Sequence, residues 1–271
     1  MISSVAGLVL AALIGADPIP IGQGIAVEVG VRLVLTGRFV LSQGPPDGLE
    51  LLATTRNGRL HEALVELDAD DAVAIQVAAV AALGIGAGRP PDSLTGRPPV
   101  GTPVQVHLNW DDDLGRRHDH PGAELIRDRT TDRHLPPWPW VWSGSLFGTW
   151  PDPSKPGQSR RMLAAALDGM ILAIFDENNS SLAALPIPDP RQDDRWEVNS
   201  ALAPPVGTLV QVTVSACTFS VGGAPGEWAV GDGSRKIAVA KLAPPPLANV
   251  TTAVQLPTIW ITEPPVVHPA D

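Results

Sequence analysis

The chain has no tyrosine and a single cysteine, and three lysines stand against sixteen arginines. One thiol excludes an intramolecular disulfide, a cysteine-pair zinc site and a thiolate-held cluster. That thiol, Cys217, closes the apolar, strand-like stretch Thr213-Val214-Ser215-Ala216-Cys217, which reads as an inert buried position. Absent tyrosine and excess arginine together suggest high-GC coding bias, so a lone arginine is weak ground for a ligand clamp. No run of basic residues occurs and the formal net charge is −10. The phosphate neutralisation that a nucleic-acid partner requires is therefore missing, and the acidic balance reads as solubility. No phosphate loop, dinucleotide fingerprint or Gly-x-Ser-x-Gly motif is found. Ser143-Gly144-Ser145 has no histidine or aspartate tied to it by spacing.

Long apolar runs are also missing. Residues 5–14 form an apolar stretch too short to cross about 30 Å of hydrocarbon at about 1.5 Å per residue. Its length suits a secretory h-region, and Gly15-Ala16 offers a small-residue cleavage site, so residues 1–16 are expected to be a signal peptide. The expected location is periplasmic or extracellular, with no transmembrane span in the mature chain.

What the chain does have is turn chemistry. With 26 glycines and 29 prolines, about one residue in five favours short strands joined by turns over a helical bundle. Ile25, Val27, Val29, Val31, Leu33 and Leu35 alternate with other residues, which predicts one long half-buried strand broken at Gly37. A turn at 44–48 leads into a strand over 49–53. A helix is predicted over 71–83, capped by Asp70, carrying a stripe of Val73, Val77 and Val80, and stopped by Gly84. Val104, Val106, Leu108 and Trp110 mark a strand whose other face holds Gln105, His107 and Asn109. Further strands are expected at 123–126 and 140–143, and Asp168-Gly169 signals a short hairpin. Pro98-Pro99-Val100-Gly101-Thr102 leads into one strand and Pro204-Pro205-Val206-Gly207-Thr208 into another, either an old duplication or convergence on the same chemistry. The expected fold class is α+β, a predominantly antiparallel β-sheet with one principal helix, about 71–83, packed on it. The expected domains are 17–215 as that unit and 216–271 as a C-terminal extension with extra strands.

The order of short motifs resembles the YdjY-like domain of exported bacterial proteins. The motifs are Leu49-Glu50, Arg59 before His61-Glu62, Ala82-Leu83-Gly84, Gly101-Thr102 feeding the strand to Trp110, and Ala123-Glu124. Trp140-Val141-Trp142-Ser143-Gly144-Ser145, the stretch 178–186 and the Pro204-to-Thr208 lead-in complete the set. The likeness covers roughly 27–215. It implies export and supplies no assigned activity or catalytic residues. Some relatives carry a cysteine cluster, and many have a cysteine shortly before the His-Glu pair. This chain has neither, reading Ala53-Thr54-Thr55 at the second place.

Three sets of residues could carry chemistry. His61 and Glu62 could move a proton or hold a divalent metal, provided that a loop or helix start turns both to one side. The bland alternative is a histidine held by a carbonyl and a glutamate beside the helix. His118 and His120, two apart on a strand with Asp111 nearby, could ligate a metal, or could be a solvated hairpin tip. Trp138, Trp140 and Trp142 could form an aromatic platform for a sugar or peptide, or simply core. The leading expectation is a non-catalytic binding or assembly module of the cell envelope, with an unknown protein or glycan partner and no cofactor. The alternative is a metal-binding protein or hydrolase-type enzyme using His61 and Glu62.

Overall fold

The computed structural model describes residues 17–45, 47–56, 58–85, 88–92, 98–135, 139–152, 154–174, 180–185, 193–216, 229–230 and 237–238. In chain order, β1 (Ile19–Gly22), β2 (Ile25–Glu28), β3 (Arg32–Phe39), β4 (Leu51–Thr54) and β5 (Ala63–Leu67) lead into helix α1 (Ala72–Leu83). Then come β6 (Thr102–Asp111), β7 (Arg117–Pro121), β8 (Ile126–Asp128), β9 (Arg133–His134) and β10 (Trp140–Trp142). β11 (Phe147–Pro151) and β12 (Ser159–Leu163) are followed by the one-turn helix α2 (Ala165–Asp168). β13 (Met170–Ala173), β14 (Ala183–Ala184), β15 (Trp196–Val198) and β16 (Leu209–Ala216) follow, and β17 (Ala229–Val230) pairs separately with β18 (Ile237–Ala238).

Eight of these strands close on themselves in the order β3, β16, β6, β10, β14, β13, β4, β5, with β5 returning to β3. The α+β expectation is corrected: the protein is mostly β, built on a closed eight-stranded barrel. Alternation of apolar and polar residues reports only that a strand has one buried face. It does not distinguish a sheet covered by a helix from a sheet rolled onto itself, which also removes its unpaired edges. The rolled solution needs a site where two backbones can touch, and Gly37 provides it. A β-carbon there would lie 2.3 Å from the Glu66 carbonyl oxygen on β5. The glycine read as a strand breaker is thus a strand interior residue at the closing seam.

Side chains fill the barrel. Leu33 and Leu35 of β3, Val212 and Val214 of β16, and Val106 and Leu108 of β6 all face inward and are buried. Val212 stands opposite both Leu35 and Leu108. Gln105, His107, Asn109, Gln211 and Thr213 alternate with these residues and face outward. The two strands fed by the repeated Pro/Gly lead-ins, β6 and β16, are antiparallel neighbours.

Helix α1 begins where Asp71, rather than Asp70, accepts the Val73 amide at 2.8 Å, and stops at Gly84 with φ of 63°. Its buried face is Ala72, Ile75, Ala78, Ala79 and Ala82, whereas Val73 and Val77 are 42% and 60% exposed. The predicted valine stripe is therefore corrected. The helix is apolar around most of its circumference, so periodicity could not select a face. Alanine wins because its small side chain lets the helix approach the strands closely. The Gly30 amide, between β2 and β3, donates to the Ala82 carbonyl at 2.7 Å. At the other side, Trp142 Nε1 of β10 donates to Gln76 Oε1 at 3.1 Å. β3 and β10 are separated around the barrel by β16 and β6. A helix bonded to both sides spans one mouth of the barrel and does not lie on a sheet face.

Three smaller expectations also change. The long strand over 25–36 is split into β2 and β3 by Gly30, whose φ of 78° permits a turn that side chains resist. Residues 122–125 form a 3-10 turn ahead of β8. Asp168-Gly169 ends α2 and does not turn a hairpin, because a positive φ at glycine (74°) serves a helix stop equally well. Residues 1–16, Cys217, Trp138 and most of the expected C-terminal extension, 216–271, lie outside the described residues.

Candidate functional site

His61 and Glu62 meet. A 3-10 turn over Leu60–Glu62 joins β4's neighbourhood to β5 and swings both side chains to one side, with His61 Nε2 3.0 Å from Glu62 Oε1. Arg59, one residue before the turn, places Nη2 2.7 Å from Glu62 Oε2 and Nη1 3.0 Å from Glu50 Oε2. Glu50 leads into β4, its amide donating to the Glu62 carbonyl and its carbonyl accepting from Ile174. Four of the residues that carry the sequence resemblance thus form one charge cluster on the parallel pair β4–β5. The two carboxylates are largely buried and share one guanidinium, while the His61 ring is 77% exposed on its side chain. The cluster can hold a short 3-10 turn against the barrel. As an acid–base pair it is hindered, because Glu62 Oε2 is already engaged by the Arg59 guanidinium.

His118 and His120 share a face of β7, as their spacing requires. Both stack on Trp110, with ring centroids 5.3 and 5.2 Å away, and Trp110 in turn meets Phe39 edge-on. Each ring has its own acid: His118 Nε2 lies 3.2 Å from Asp112 and His120 Nδ1 lies 3.1 Å from Glu124. Asp111 points to the opposite face, 3.5 Å from Arg117. The structure therefore does not gather His118, His120 and Asp111. Among the described residues no three histidine, cysteine or acidic side chains are arranged to hold a metal ion. Asp112 is held well below the usual carboxylate range, first by the Arg116 amide, then by His118, the Arg116 side chain and the Leu114 amide, against some burial. Trp140 and Trp142 are fully buried in the barrel core, so neither offers a surface platform.

Sequence reasoning passed over a groove on the small sheet β15–β8–β9. It is open, about 470 Å³, and is lined by Arg127, Asp132, Arg133, His134 and Asn199. Glu197 of β15 organises its floor, accepting from Arg127 Nε at 2.7 Å and from Arg129 Nε at 3.1 Å. Burial would raise the Glu197 pKa, but these two arginines outweigh it and keep the group ionised below its ordinary value. Arg127 also donates to Asp132 at 2.8 Å, and Asp132 has a positive φ of 55°, among the described residues unusual for anything but glycine. Beneath, Asp128 takes Arg195 at 2.6 Å and the Thr130 hydroxyl at 2.6 Å. Arg133 and His134 extend from β9 into solvent with no described ion-pair partner. The sequence signal was the run of charges from Arg127 to His134.

No family model, curated protein or solved structure matches this chain.

Proposed function

We propose that this chain is a non-catalytic binding or assembly module of the cell envelope, exported by its N-terminal segment. The observation that carries the reading is the fate of its charges. At the predicted acid–base pair, Arg59 lies between Glu50 and Glu62, so the carboxylates are spent on the protein's own cation. The barrel interior is packed with aliphatic side chains, which is scaffold construction. The open groove differs: Arg133 and His134 present donors to solvent, and a fixed network beneath holds Arg127, Asp132 and Glu197. Preorganised polar groups around a shallow groove suit reversible recognition of an anionic or hydroxyl-bearing partner. The ordered motifs that resemble the YdjY-like domain support export and carry no activity with them.

Metal analysis of the purified protein tests the reading. The expected result is a substoichiometric metal content that is the same in His61→Ala. A stoichiometric zinc or other divalent ion that disappears in His61→Ala would overturn it in favour of the metal-binding or hydrolytic alternative. A companion titration with carboxylate- and phosphate-bearing compounds is expected to show binding that Arg133→Ala removes.

A further inference from the structure

β11 and β12 form an arm that pairs with no other strand among the described residues. Its five cross-strand positions run from Phe147 opposite Leu163 to Pro151 opposite Ser159. The Ala164 amide closes the base on the Leu146 carbonyl at 2.8 Å. A two-stranded ribbon standing alone is marginal in water and gains from a surface to lie on.

The arm's chemistry is unlike that of the body. Between 146 and 164 there are three cations, Lys155, Arg160 and Arg161, and one acid, Asp152, on a chain whose net charge is −10. Asp152 accepts from the Ser154 amide and hydroxyl at 2.9 and 2.6 Å and lies 3.9 Å from Arg160 Nε, so one acid faces three cations on the arm. Phe147 is 54% exposed, and the Arg161 guanidinium sits 5.0 Å from its ring centre, so an aromatic and a cation leave the arm together. At the arm's foot, α2 packs beside α1, and Leu146 and Leu167 are exposed there. Aliphatic and aromatic side chains beside a surplus of cations match a bilayer interface: acyl chains take the apolar groups and anionic headgroups take the cations. A soluble polyanion would use the cations and leave Phe147 and the leucines in water.

We propose that the β11–β12 arm docks the protein on an anionic lipid surface, with Phe147 and Leu146 inserted and Lys155, Arg160 and Arg161 on the headgroups. Among the described residues no helix is long and apolar enough to cross a membrane.

Co-sedimentation of the full chain with phosphatidylglycerol or phosphatidylcholine vesicles tests it. The expected result is binding to the anionic vesicles that weakens with salt, and at least tenfold weaker binding to the neutral ones. Each cation near such a surface contributes about fivefold, so Arg160→Glu with Arg161→Glu is expected to weaken binding at least 25-fold. Phe147→Ser is expected to weaken it severalfold, and Arg116→Glu with Arg117→Glu, at the β6–β7 turn, by less than twofold. Far-ultraviolet circular dichroism confirms that each variant is folded. The proposal is overturned if the unaltered chain does not sediment, if it binds both lipids equally, or if the arm and control variants behave alike. It is overturned equally if the chain binds dextran sulfate but no vesicle.

Discussion

Gly37 on β3 and Glu66 on β5 approach so closely that a β-carbon on Gly37 would sit 2.3 Å from the Glu66 carbonyl oxygen and 3.0 Å from the Leu67 Cα. The contact is backbone on backbone, so no rotamer change relieves it. Arg38 and Glu66 form an ion pair across the same seam. Gly37→Ala is expected to cost about 3 kcal/mol by forcing the two strands apart. Gly22→Ala is the control, since its nearest neighbour would be an ordinary 3.7 Å away, and it is expected to change stability by less than about 0.5 kcal/mol. Urea unfolding measures both. Equal midpoints would mean that the barrel is not closed at this seam.

Asp128 and Glu197 make the groove's foundation sensitive to acid. Burial pushes both pKa values up, but hydrogen bonds from Arg195 and Thr130 to Asp128, and from Arg127 and Arg129 to Glu197, push them below their ordinary values of 3.8 and 4.5. A carboxylate depressed in the folded state stabilises fully above its unfolded pKa, and that contribution fades as pH falls through the folded value. Stability is therefore expected to be flat above about pH 5 and to decline below it. Asp128→Asn is expected to lose stability at pH 7 and to show a shallower decline in acid. Thermal unfolding at a series of pH values checks this, and parallel curves for the two proteins would refute it.

The two faces of α1 can be separated by substitution. Ala78→Leu adds volume against the strands and is expected to cost about 2 kcal/mol. Val77→Ala removes an exposed β-branched residue and replaces it with a better helix former, for an expected gain of about 0.5 kcal/mol. The order reverses if the valines are the buried face. Denaturant midpoints decide.

That helix shows why part of the fold was legible and part was not. Local signals worked where one residue has one job: Gly84 stopped the helix, Gly101-Thr102 fed β6, and alternation from Val104 to Trp110 gave its inward face. They failed where the answer depends on partners distant in sequence. Nothing in α1 tells which apolar face is covered, and nothing in β3 tells that β5 and β16 flank it. The candidate site divides the same way. His61-Glu62 was legible as a pair, but its meaning comes from Arg59 and Glu50, the latter eleven residues upstream of His61 in sequence and brought near only by the parallel pairing of β4 with β5. The groove was harder still, because it draws Asn199 against Arg127 and His134 from a separate stretch of chain.

Trp142 and Gln76 supply a test of the helix's seat on the barrel mouth. The indole Nε1 of a fully buried tryptophan has its hydrogen bond to Gln76 Oε1 at 3.1 Å. Gln76→Leu removes the acceptor, and a buried donor left without a partner costs about 1–3 kcal/mol. Gln76→Glu keeps an acceptor there and is expected to cost less. If both variants unfold at the wild-type midpoint, the helix does not depend on this contact.

Arg59 offers the sharpest test of the predicted acid–base site. Its guanidinium touches Glu50 and Glu62, both largely buried, and is itself partly exposed. Arg59→Met keeps the aliphatic stem and removes the charge, leaving two carboxylates close together in a poorly solvated place. Removing one member of a fully buried pair costs about 3–5 kcal/mol, and exposure of this arginine reduces the expectation to about 2 kcal/mol at pH 7. Urea unfolding of wild type and Arg59→Met at pH 7 measures the loss, and equal midpoints would show that Glu50 and Glu62 do not depend on the guanidinium between them.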